Sequence, residues 1–219
     1  MKIRISEELL RKLPDFNVVA CVLDVKMKGS EQLEETIHLL EELIRKNHTL
    51  ESVLSIPKIK QARDAYKKLG KDPSRYRLAV ESLYRRIVKN NDLYRINNVV
   101  DLGNILSIET MRSVCVADFD LIKGDVRIRV GTALDHYEGI NRGVLNVENI
   151  PVYEDDDSPF GSTTSDTPRT AVHDKTTSVL IMVICFGEED MEQDRKRLKE
   201  LFAAYANTKN PMDIEVIRK

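Results

Sequence analysis

The chain has 219 residues, 42% hydrophobic and 32% charged, with a formal net charge of −2. That balance argues against wholesale disorder, and so small a net charge does not suggest a general field for nucleic acid. No apolar run reaches the ~20 residues of a membrane-spanning helix, and Met1-Lys2-Ile3-Arg4-Ile5 leads into charges rather than a secretory core, so the expected location is cytoplasmic with no membrane partner.

Asn17 to Val25 is nearly continuous and rich in β-branched residues, which predicts a buried strand. Ser30 is placed to cap a helix running to about Lys46, with Leu33, Ile37, Leu40 and Ile44 as its apolar stripe. Pro57 opens a second helix and Gly70 stops it after Leu69. Asp72-Pro73 predicts a cap and first turn of a third helix, ending near Lys89. After a turn at 90–92, Asn97 caps a fourth helix carrying Val99, Val100, Leu102, Ile105 and Leu106.

Later, Val126, Ile128 and Val130 alternate with Arg127 and Arg129, the period of a half-buried strand. Glu154 to His173, rich in Asp, Ser, Thr and Pro, reads as the least ordered stretch, either functional or mobile. Val179 to Phe186 is a candidate central strand, Glu188 to Ala206 a helix with Leu198, Leu201 and Phe202 inward, and Asp213 to Ile217 an edge strand. Helices first and strands later predict an α+β fold.

Cys21, Cys115 and Cys185 are far apart in apolar runs, which favours three reduced core thiols. The four histidines are scattered, so no metal site and no cofactor are expected. Residues 57–95 hold twelve Lys/Arg against four acids, a net +8, leaving −10 for the rest. This split predicts either a basic face tracking phosphates or ordinary wet helix faces.

The densest polar cluster runs from Tyr94 to Asn104. Asn97, Asp101 and Asn104 share a helix face at i, i+4 and i+7. Amides and a carboxylate so placed can hold a ribose, an amino group or a water, with Gly103 leaving room for a ligand; the competing reading is a cap and a buried network. A second cluster, Ser165 to Thr170, sets Arg169 beside hydroxyls, which suits phosphate or carboxylate. Asp166 can instead pair with Arg169.

The segments Arg85-Arg86-Ile87, Arg95 to Asp101 with Asn104, Asp118 to Gly124, Glu148 to Pro159 and Thr170 to Val183 resemble the B3/B4 tRNA-editing module of the bacterial phenylalanyl-tRNA synthetase beta subunit. Ala62 to Tyr66, Leu69 to Arg77 and Asp166 to Thr170 are similar to small proteins consisting of that module alone. The resemblance implies one domain over residues 1–219, with a mixed, mostly antiparallel sheet and helices packed around it. It implies hydrolysis of mischarged tRNA, with Asn104 at the substrate and Asn98 and Asp101 in support as catalytic residues. Gly103, Asp166, Arg169, Thr170 and Ala171 would bind substrate, and Arg75, Arg77, Arg85, Arg86 and Arg95 would hold the acceptor end of charged tRNA. The family's pocket His has no counterpart at Cys115 to Ala117, and its tyrosine-reading Glu is matched by Ala171, which argues against tyrosine as substrate. The alternative to an enzyme is a module that binds tRNA, an amino acid or a nucleoside without chemistry.

Overall fold

The run beginning at Asn17 is an interior strand of a four-stranded sheet, and a computed structural model describes residues 1–206 and 213–218. In chain order the elements are β1 (Ile3–Ile5), α1 (Glu7–Lys12), β2 (Asn17–Asp24), α2 (Glu34–Asn47), α3 (Pro57–Leu69), α4 (Ala79–Val88), α5 (Asn98–Thr110) and β3 (Val114–Asp118). There follow β4 (Val126–Val130), β5 (His136–Gly139), β6 (Gly143–Asn146), β7 (Pro151–Glu154), β8 (Pro159–Ser162), β9 (Ser178–Cys185), α6 (Met191–Tyr205) and β10 (Glu215–Ile217). The fold is α+β. One sheet runs β10-β2-β9-β3, antiparallel throughout; a second runs β1-β4-β7-β8, with only β1 and β4 parallel. β5 and β6 form a separate hairpin.

β2 and β9 are apolar almost throughout because both of their faces are covered. Val19, Cys21 and Leu23 of β2, with Val179, Ile181 and Val183 of β9, pack against the larger helices. Val18, Ala20, Leu180, Met182 and Ile184 point the other way, onto Ile128, Tyr153 and Phe160 of the second sheet. Each such branched side chain taken from water contributes roughly 1.5–3 kcal/mol.

Three sequence expectations need correction. Ser30 makes no cap hydrogen bond; a short 3₁₀ turn (Glu31–Leu33) precedes α2, and the Ser30 hydroxyl donates to Asp101 instead. The helix expected from Asp72-Pro73 starts only at Ala79, because the Asp72 carboxylate accepts the Ser74 N–H in a local turn. Glu154 to His173 is not a loose loop. It contains β8 and a 3₁₀ turn (Pro168–Thr170), and Phe160, Thr163 and Thr170 are buried. Ser162 Oγ accepts the Thr164 and Ser165 N–H groups and Asp155 those of Asp157 and Ser158, a local satisfaction of the backbone that composition alone reads as disorder.

Candidate functional site at the free edge of β3

The polar cluster at the start of α5 is mostly structural. Asn97 accepts the Val100 N–H and caps the helix. Asn98 is wholly buried: its carboxamide accepts from Lys28 N–H at 2.8 Å and donates to the carbonyls of Lys26 and Tyr205 at 3.1 and 3.2 Å. Asp101 accepts the Ser30 hydroxyl and the Ile96 N–H. Burial pushes its carboxyl up, against the lowering effect of those two donors. Asn98 and Asp101 therefore tie α5 to neighbouring chain segments and offer no group to a ligand. Helical spacing placed Asn97, Asp101 and Asn104 on one face, but could not show that partners 71 residues away already occupied it.

Gly103 is also reassigned. A Cβ there would lie 2.5 Å from Val116 Cγ2, so its missing side chain lets α5 close on β3 rather than admit a ligand. Asn104, the next residue, is half-buried and its carboxamide has no hydrogen-bond partner among the described residues. It follows Gly103, which packs on Val116 of β3, and among the described residues β3 pairs only with β9. Ile184 N–H donates to the Ser113 carbonyl, so residues 113, 115 and 117 turn their amides inward. Val114 and Val116 turn theirs to the free edge.

The opposite face of β3 meets the second expected cluster. The Cys115 thiol lies against the Asp166 carboxyl, which burial pushes up to about 7. Gly161 makes room for that carboxyl: a Cβ there would come within 2.6 Å of Asp166 Oδ1. The β5–β6 hairpin covers this corner, with the Tyr137 hydroxyl 2.6 Å from both Ser162 Oγ and the Ser165 carbonyl. Ile140 N–H donates to the Asp166 carbonyl. Arg169 pairs with neither Asp166 nor a pocket; its guanidinium holds Asp155 through two bonds of 3.0 and 2.9 Å. Thr167 Oγ1 and Thr170 Oγ1 are buried with no partner among the described residues. Ala171 is half-buried, and Val172 after it packs on the rim of the helix-side core. β3 thus separates Asn104, on its α5 side, from Asp166. Tyr137 and the Cys115–Asp166 contact escaped the sequence reading, because no local pattern links positions 51 residues apart.

The thiols are core groups. Burial pushes Cys21 up to about 12 and Cys185 up to about 11, and Cys115 moves the same way, so none supplies a thiolate near neutral pH. A further polar knot escaped notice: Asp118 accepts the Thr176 hydroxyl at 2.5 Å and lies 3.3 Å from His173 Nε2.

Much of the expected basic face is neutralised. Lys58 pairs with Asp190 and Asp194, Arg63 with Glu81, Lys60 and Lys67 with Asp64, and Arg95 with Glu34 and Glu41. Arg85 lies 3.9 Å from Glu81, and Arg86 donates to the Asp92 carbonyl. Arg75 and Arg77 are exposed and have no ion-pair partner among the described residues. They follow α3, whose Tyr66 hydroxyl meets Thr163 and Thr164 in the loop before Asp166. Among the described residues no helix is long and apolar enough to cross a membrane.

Two packed, mainly antiparallel sheets with the larger helices against the first define an α+β module. A family model described as the B3/4 domain matches residues 61–212, and the protein belongs to that family. Among solved structures it is similar to an N-terminal fragment of the phenylalanyl-tRNA synthetase beta-subunit from Pyrococcus horikoshii. The identity is 10% and the TM-score 0.50, over 99% of this chain and 50% of that one. This likeness concerns the fold, and the chain spans about half the length of that fragment. No curated protein matches the chain.

Proposed function

We propose that the protein acts on the aminoacylated end of tRNA, as a trans-acting deacylase that hydrolyses the ester of a wrongly charged molecule. Membership of the B3/4 family and the likeness in fold to a synthetase fragment support a tRNA-related role. The observation that carries the site assignment is the carboxamide of Asn104, which has no hydrogen-bond partner among the described residues and follows the Gly103 contact between α5 and β3.

Water adds to the ester carbonyl, the acyl C–O bond breaks, and the products are a free amino acid and a terminal ribose hydroxyl. Such a reaction needs a positioned water and donors for the developing oxyanion. Asn104 Nδ2 and the outward N–H of Val116 are donors of that kind. Among the described residues none is assigned as a general base, so the neighbouring ribose hydroxyl of the substrate is the natural assistant. Arg75 and Arg77 hold phosphates of the acceptor stem. Ala171 offers no group to pair a phenolic hydroxyl, which disfavours tyrosine as the esterified amino acid.

The second reading is a binding module without chemistry, favoured by the structural commitment of Asn98 and Asp101. Deacylation of a panel of mischarged and correctly charged tRNAs, with Asn104→Ala as control, separates the two. Selective hydrolysis lost in the variant supports the enzyme; tRNA binding without hydrolysis supports the module.

A further inference from the structure

Residues 92–97 form an extended segment outside both sheets, and its side chains alternate. Leu93 and Asn97 are buried, while Tyr94 is 65% and Ile96 59% exposed. The segment is held from below. Leu93 N–H donates to Glu41 at 2.7 Å, Arg95 bonds Glu34, Glu41 and the Leu93 carbonyl, and Ile96 N–H is taken by Asp101. An aromatic ring is therefore displayed on a fixed backbone, away from the core that would normally claim it.

One face of that ring is already occupied. The Arg86 guanidinium lies 3.8 Å over the Tyr94 centroid, and Arg86 Nε is anchored on the Asp92 carbonyl. A cation stacked on one face leaves the other to solvent. Exposed Lys89 ends the same helix. A flat π-surface backed by a guanidinium, with an exposed aliphatic Ile96 two residues on, matches what an unpaired nucleobase requires. A flat ring backed by a cation favours stacking on a base, and a duplex buries its base faces.

We propose that Tyr94, backed by Arg86 and flanked by Ile96, is a stacking platform for a base of single-stranded RNA. The site is separate from the edge of β3 and binds whether or not the protein hydrolyses an ester. The probe is a fluorescently labelled, uncharged single-stranded ribo-oligonucleotide of mixed sequence, read by anisotropy at fixed salt. Tyr94→Ala should weaken binding about tenfold, Tyr94→Phe should bind as the parent does, and the same sequence as a duplex should not respond to either change. Tyr94 is exposed, so both variants should keep the parent's thermal midpoint. Equal affinity of parent and Tyr94→Ala, or equal loss in Tyr94→Phe and Tyr94→Ala, would overturn the platform. Absence of deacylation by the parent, with oligonucleotide binding intact, would overturn only the catalytic reading.

Discussion

The carboxylate of Asp101, in the first turn of α5, receives the hydroxyl of Ser30, a residue 71 positions earlier. This contact ties the entry of α2 to the start of α5 and also takes up the Ile96 N–H. Replacing Asp101 with Ala leaves one buried and one part-buried donor unpaired, so a loss of about 1–3 kcal/mol is expected in urea unfolding. Asn104→Ala removes a carboxamide with no partner and should change stability by less than ~0.5 kcal/mol, while lowering deacylation. An Asn104 variant as unstable as the Asp101 variant would remove Asn104 from the site.

Gly103 and Val116 meet where α5 crosses β3. Adding a methyl at Gly103 improves helix propensity by roughly 1 kcal/mol, but pushes a stiff β-branched side chain and costs about 1–3 kcal/mol. Gly103→Ala is expected to be net destabilising by about 1 kcal/mol, with Gly103→Ala/Val116→Ala recovering part of it in a double-mutant cycle.

Asp166 carries a proton in the folded protein up to about pH 7, whereas an unfolded chain loses it near 3.9. Between those values the folded state binds the extra proton, so this group's contribution to stability falls as pH rises through the window. Asp166→Asn removes the penalty. At pH 8 the variant should be the more stable by about 1–3 kcal/mol, and near pH 4 the two should converge, as read by thermal unfolding.

Burial pushes the Asp155 carboxyl up, but Arg169 and the N–H groups of Lys123, Ser158 and Asp157 outweigh it and hold the carboxyl below the usual range. Stability from this cluster is therefore full above about pH 4 and is lost as pH falls through the depressed value. Arg169→Gln should cost about 2–3 kcal/mol at pH 7, and the difference from the parent should shrink in acid. A change in tRNA affinity with unchanged stability would instead return Arg169 to the substrate site.

Arg75 and Arg77 are free to meet phosphates, whereas Arg95 is held by Glu34 and Glu41. Replacing the first two with Gln should reduce the slope of log affinity for tRNA against log salt by about 2. Arg95→Gln should mainly lower stability.

The sequence by itself determined the strands from Asn17 and Val179, the bounds of α3 from Pro57 to Gly70, and the capped start of α5. Each is written in contiguous periodicity or in a cap within a few residues. The family, too, was legible in short motifs. Tertiary structure alone decided what the polar residues do. Ser30, which local pattern makes a cap, bonds Asp101, and Asn98 clamps the carbonyls of Lys26 and Tyr205. Arg169 neutralises Asp155, and Asp166 is set against Cys115. A hydrogen bond or an ion pair is satisfied by whichever partner the fold brings within about 3 Å, and that partner's place in the chain leaves no local trace.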